Sequence, residues 1–337
     1  MIDLAALEKD IMSGLKDFQR ATVERVLDRY KANQNRVLIA DEVGLGKTLI
    51  AKGVIAKTAR WHREDKKDNL FKVVYICSNQ GIATQNLQKL IITKKAEDIT
   101  VGRIDDMRLS MQHLKIFQQE NDPAVLDKYI QLIPLTPQTS FSMTNGCGSV
   151  AERALMFAIM KRMEAFQDFL PELEIIMTDC AVSSWKSWVA DYYEKEVRKC
   201  DEKTGGFYTQ YVSEKLLANI REQDLVNKMI DLCLKVRASG MKRVYGAYGP
   251  LNGLRRAFAQ ISLEKLEPDL IIMDEFQHFR YLIDARNDDS EMGLLVSKFF
   301  SGDNTKVLLL SATPFKLYST LEEIDELNCD EHYSEFL

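Results

Sequence analysis

The stretch Val37-Leu38-Ile39-Ala40-Asp41-Glu42-Val43-Gly44-Leu45-Gly46-Lys47-Thr48, which leads into an apolar, alanine-containing run at 49–56, decides the fold. Residues 37–40 are apolar and too few for a helix, so they read as a buried strand, followed by a glycine turn and then a helix. A loop of this make-up suits phosphate. Its glycines let the backbone close round oxygens, and the helix N-terminus behind it faces negative charge. Lys47 has the reach for β- and γ-phosphates, and the Thr48 hydroxyl suits magnesium. A chance Gly-Leu-Gly-Lys-Thr turn between a strand and a helix is the alternative for this segment taken alone.

Outward from the loop, four more short apolar runs read as buried parallel strands, at 73–77, 130–135, 270–273 and 307–310. With 37–40 they predict one doubly wound α/β lobe. Between residues 141 and 260 the apolar residues recur at helical spacing instead, as in Leu155, Ala158, Ile159, Met163 and Phe166. This predicts a lobe formed by residues 1–142 and 261–337, with 143–260 a mainly helical insertion. The insertion enters through a loop at 144–149 and breaks at Thr204-Gly205-Gly206. Trp185 and Trp188 are read as part of its core.

The run at 270–273 ends in Asp274-Glu275-Phe276-Gln277. Two acids at the end of an apolar strand are costly without a cation or a reaction to serve, although acids facing a loop are common. The run at 307–310 ends in Ser311-Ala312-Thr313-Pro314, and ahead of the phosphate loop Phe18-Gln19-Arg20 opens an amphipathic helix with Val23, Val26, Leu27 and Tyr30 on one face.

In this order the four patterns resemble helicase superfamily two. Asp41 stands where the strict phosphate-loop pattern has glycine, and Asp-Glu-x-Gly-Leu-Gly-Lys-Thr is similar to the loop of its Swi/Snf-like, DEAD/DEAH-type ATPases and their bacterial relatives. The resemblance covers about residues 15–142 and 261–337 and implies the N-terminal, RecA-like P-loop NTPase lobe of a nucleic-acid-dependent ATPase, a helicase or double-stranded DNA translocase, with ATP and Mg2+ as cofactors. It implies that Gly44, Leu45, Gly46, Lys47 and Thr48 hold the nucleotide. Gln19 would read the adenine edge, since an amide donates and accepts at once, although a solvated helix position is the alternative. Thr48 and Asp274 would serve the metal, and Glu275 would aim and deprotonate the attacking water. Ser311 and Thr313 would link nucleotide state to nucleic-acid grip. The loops after the second and third runs, with Ser78, Asn79 and Thr139, would track a phosphate backbone, or else be ordinary loop caps.

An arginine commonly stabilises the charge that develops in phosphoryl transfer, and in this family it comes from a second RecA-like lobe. The sequence stops at Leu337, so that lobe is expected in the full-length protein or a partner chain, with weak or no hydrolysis by this lobe alone.

Residues 232–263 lack acids and collect Lys235, Arg237, Lys242, Arg243, Arg255 and Arg256 around Tyr245 and Tyr248. Such a stretch could clamp a nucleic-acid backbone and stack on it, or be a solvated helix face plus a turn. The net charge of −5 runs against bulk electrostatic binding, so any nucleic-acid contact is expected to be local. The 337 residues, 46% apolar and 28% charged, suit a globular protein. No run reaches the ~18 uninterrupted apolar residues of a membrane helix and no secretory signal is evident, so a cytoplasmic protein with no membrane partner is expected, and the resemblance to bacterial ATPases implies a prokaryotic one. Six scattered cysteines without a Cys-x-x-Cys pair predict neither a zinc site nor a disulfide framework. Two other readings stay open: an ATP-gated module whose insertion binds a protein partner without motor activity, and a signalling P-loop NTPase, against which residues 311–314 argue.

Overall fold

The computed structural model describes residues 3–42, 44–66, 70–77, 80–93, 99–101, 108–120, 129–135, 147–179, 181–218, 220–240, 246–275 and 305–311. The five predicted runs all form strands: β1 (Arg36–Ala40), β2 (Phe71–Ile76), β4 (Ile130–Leu135), β5 (Leu270–Met273) and β6 (Lys306–Ser311). A sixth, β3 (Ile99–Val101), is three residues long and carries no apolar run to betray it. Among the described residues they make one sheet, parallel throughout, in the order β1-β6-β5-β2-β4-β3.

In a strand, successive side chains point to opposite faces, and the two cores divide accordingly. Phe71, Val73 and Tyr75 of β2, with Leu270 and Ile272 of β5, pack beneath α2 (Asp17–Lys31), α3 (Lys47–Lys66) and α4 (Gln80–Leu90). Val74, Ile76, Ile271 and Met273 face the other way, toward α5 (Leu109–Glu120) and the helix that precedes β5. Right-handed crossovers require this split. Connections that run along the sheet in one direction lay their helices on one face, and returning connections use the other. The α2 residues Val23, Val26, Leu27 and Tyr30 are all buried, as their spacing predicts. α1 (Leu4–Ser13) lies across α3, and its Glu8 meets Lys57 and Arg60.

The helical insertion lies between β4 and β5. It comprises α6 (Val150–Met160), α7 (Leu170–Thr178), α8 (Ala190–Thr204), α9 (Phe207–Leu217) and α10 (Ile220–Ser239), followed by α11 (Tyr248–Leu266). Leu155, Ala158, Ile159, Met163 and Phe166 are all in its core. The predicted break is present: α8 stops at Thr204, and Gly205 (φ +64°) and Gly206 (φ +84°) turn the chain through left-handed geometry into α9. Trp185 is buried and donates from Nε1 to Glu174 at 3.0 Å. Trp188 is 59% exposed, which corrects its placement in the core. Residues Trp185–Val189 form a π-helical turn, wider than an α-turn, so positions three apart no longer share a face.

The expected boundary between residues 260 and 261 falls inside α11. That helix gives Leu251, Leu254, Phe258 and Ile261 to the insertion core and Ala259, Leu263 and Leu266 to the sheet. No described helix is long and apolar enough to cross a membrane.

Candidate nucleotide site

β1 ends at Ala40, where the chain leaves the sheet through the loop and enters α3 at Lys47. Gly44 (φ +89°) and Gly46 (φ +81°) take backbone values that L side chains rarely adopt. Gly46 is constrained a second way, because a Cβ there would stand 2.6 Å from Gln19 Nε2. α3 starts tightly, with the N–H groups of Leu49 and Ile50 both donating to the Gly46 carbonyl at 2.8 and 3.1 Å. The first N–H groups of any helix have no partner within it, so those at the start of α3 form a positive end beside the glycine turn. Lys47 Nζ donates to the Asp41 and Glu42 carbonyls at 2.9 and 2.8 Å, bridging the base of the loop. Thr48 sits half-buried in the first turn.

Gln19 is 4% exposed, and its amide staples α2 to the loop. Nε2 donates to the Leu45 carbonyl at 2.9 Å, while Oε1 accepts from the Lys16 N–H at 3.0 Å. One amide hydrogen and one lone pair remain for another partner. A solvated helix residue would not be held at both ends.

The acid pair follows β5. Since β6 alone separates β5 from β1, the ends of these strands lie two strand spacings apart, about 10 Å, on the same edge of the sheet. Asp274 is buried, and its N–H donates to the Ile76 carbonyl at 2.8 Å. Its Oδ2 accepts from the Tyr75 hydroxyl at 2.7 Å and from Asn86 Nδ2 at 3.1 Å, and its Oδ1 accepts from the Glu275 N–H at 3.0 Å. Burial, with the Asp274 charge beside it, pushes the Tyr75 hydroxyl far above its ordinary pKa, so that it stays protonated and donates. Glu275 is only partly buried and has φ +54°. Ser311 is fully buried at the end of β6, pairs with Ala40, and accepts from the Asp41 N–H at 3.2 Å. The base of the glycine loop is thereby tied to the end of the strand between the two acidic and basic elements.

Ser78, Asn79, Thr139 and Thr313 lie outside the described residues, as do Lys242, Arg243 and Tyr245. Of the remaining basic stretch, Arg237 pairs with Glu172 and stacks over Phe169, and Arg255 is buried against Glu152. Those two cations serve the insertion's own packing, whereas Lys235 and Tyr248 are exposed. Sequence reasoning missed Tyr75 and Asn86. A tyrosine in a strand buried along its whole length usually finds a partner for its hydroxyl, but the sequence does not say which partner.

The arrangement suits a magnesium–nucleoside triphosphate in two respects. Two glycines in left-handed geometry set a helix N-terminus, which favours negative charge, at the end of β1, and Asp274 Oδ1, which accepts a single backbone N–H, gives a hard oxygen donor of the kind magnesium takes. Fold and loop together define an α/β lobe of the RecA-like P-loop NTPase type. Residues 13–132 match the family model described as type III restriction enzyme, res subunit, a helicase-like ATPase domain. The match takes in α2, the glycine loop and the strands through the first half of β4, a minority of the chain. No curated protein and no solved structure matches the chain.

Proposed function

We propose that this chain is the ATP-binding motor lobe of a nucleic-acid-dependent ATPase of the Swi/Snf-like branch of helicase superfamily two. The carrying observation is the glycine loop at the end of β1 and the Asp274-Glu275 pair at the end of β5, on one sheet edge with only β6 between them. The family match over residues 13–132 supports the reading.

Bound magnesium would supply Lewis-acid neutralisation of the phosphate charge. Lys47, held by two loop carbonyls, has only to turn its ammonium from them to meet β- and γ-phosphates. Thr48 and Asp274 would hold the metal, Glu275 would orient and deprotonate the water, and Gln19 would offer its spare donor and acceptor to the base. The Asp41–Ser311 hydrogen bond gives nucleotide state a route to the segment after β6, where Thr313 lies. Ser78, Asn79 and Thr139 are proposed to follow the strand backbone through hydroxyls and amides. An arginine for the developing charge would come from a second RecA-like lobe in the full-length protein or a partner chain. Double-stranded DNA is the proposed track, and this rests on the resemblance of residues 41–48.

Calorimetric titration with magnesium and a non-hydrolysable ATP analogue should give saturable heat that Lys47→Ala removes. Duplex DNA should bind with an affinity that falls steeply with salt. No heat at any nucleotide concentration, or heat that Lys47→Ala leaves unchanged, would sink the nucleotide site. Nucleotide binding without any salt-dependent DNA binding would replace the motor with a protein-binding module.

A further inference from the structure

The Asp274 carboxylate is held from two elements outside its own strand. Tyr75 lies in β2, directly across from Ile272. Ile272 and Asp274 are two residues apart and therefore point to the same face, which brings the phenol to the carboxylate. Asn86, on α4, closes the third side: its Nδ2 lies 3.1 Å from Asp274 Oδ2 and 3.2 Å from the Tyr75 hydroxyl. Tyr75 is fully buried and Asn86 half-buried. Neither is among the site residues expected from the sequence patterns described above.

We propose that Tyr75 and Asn86 are positioning residues that fix the rotamer of Asp274 through Oδ2, leaving Oδ1 as the oxygen turned toward the metal and its water. The inference rests on the reading of Asp274 as the metal-side acid. A carboxylate on a short side chain has two rotatable bonds, and one held by a single backbone N–H would sample orientations that carry Oδ1 away. Two donors from two elements remove that freedom before the metal arrives, which is how outer partners raise metal affinity. Oδ2 is spent on the clamp, while Oδ1, with one backbone donor, keeps a lone pair.

The test compares nucleotide affinity with magnesium and with EDTA, by calorimetry on the full chain with ADP as the probe. The ratio of the two affinities isolates the metal's contribution, which a merely structural role would not move. Tyr75→Phe, which deletes one oxygen from a buried ring, should cut that ratio about tenfold while the affinity in EDTA stays at the wild-type value. Asn86→Ala should lower the ratio in the same direction. The double variant should fall short of the product of the singles, since both side chains act on one oxygen and on each other. Wild-type ratios in both single variants would overturn the proposal, and so would a loss in EDTA that matches the loss in magnesium. A wild-type protein that binds ADP equally well with and without magnesium would instead fail the reading of Asp274 itself.

Discussion

Glu275 holds φ at +54°, a left-handed value that glycine adopts freely and that asparagine and aspartate tolerate far better than glutamate. Its N–H is turned onto Asp274 Oδ1 at 3.0 Å, so the strained backbone is the same peptide that gives this oxygen its backbone donor. Strain of this kind costs of order 1–3 kcal/mol and gathers where a reaction needs a side chain aimed off its relaxed course. Stability and turnover should therefore separate at this position. Glu275→Gly is expected to raise the urea unfolding free energy by about 1 kcal/mol and, on the proposed function, to abolish ATP hydrolysis by this lobe joined to its second lobe. Glu275→Gln should abolish that hydrolysis with no gain in stability. A Glu275→Gly protein that unfolds earlier than wild type would show that the glutamate is relaxed where it stands. The residues of the glycine loop and the acid pair were legible in the sequence because each belongs to a short pattern tied to one strand end. Tyr75 and Asn86 were not, because their partnership with Asp274 exists only after β2 and β5 pair and α4 packs above them.

Three helices meet at Glu152, near the start of α6. Its carboxylate accepts from Ser110 Oγ of α5 at 2.7 Å and from the Ser149 N–H at 2.7 Å, and it pairs with Arg108 and with Arg255 of α11. Burial pushes this carboxyl up, but Arg255, the Ser110 hydroxyl, Arg108 and the Ser149 N–H together hold it below its ordinary value of 4.5. On α5, three residues from Ser110, His113 is fully buried with Nδ1 3.0 Å from the Tyr208 hydroxyl, and burial pushes its ring from 6.5 down to about 3. Both folded-state values are depressed, so in both cases the unfolded chain takes up the proton first as pH falls, and stability drops with it. His113 should act first, from about pH 6.5 downward, and Glu152 should add its loss below 4.5. Urea unfolding at a series of pH values should show His113→Gln flattening the upper part of the acid limb and Glu152→Gln only the lower part. A His113→Gln protein with the wild-type slope between pH 6.5 and 4.5 would mean that this histidine charges without unfolding the junction. Strands and helices themselves were readable where they were long or fully apolar. The failures were the three-residue β3 and Trp188, the first too short to show a pattern and the second displaced by a π-turn that helical spacing does not announce.

At the scale of the molecule, the sheet and the helical insertion share α11. The sequence shows where periodicity changes from strand to helix, but it does not show that one helix faces both ways. Spacing reports which residues are apolar, not which neighbour covers them. Leu251, Leu254, Phe258 and Ile261 point into the insertion, while Ala259, Leu263 and Leu266 cover the sheet. The insertion cannot lose its core without baring one side of α11, and the sheet cannot keep its cover if α11 melts. The two parts should therefore unfold as one cooperative unit. Trp61 lies on α3 against the sheet core and Trp185 lies in the insertion core, so each part carries its own fluorescent reporter. A variant retaining only Trp61, made with Trp185→Phe and Trp188→Phe, and one retaining only Trp185, made with Trp61→Phe and Trp188→Phe, separate the two signals. Once each is referred to its own stability, the unfolding curve from fluorescence in each variant should coincide with that from far-ultraviolet circular dichroism. Phe258→Ala, which empties a fully buried ring position, should lower stability by about 3–5 kcal/mol and should shift the Trp61 curve as far as the Trp185 curve. If Phe258→Ala moved the Trp185 signal alone and left the Trp61 signal in place, the insertion would be an independent domain, and α11 would be a linker that happens to touch both sides.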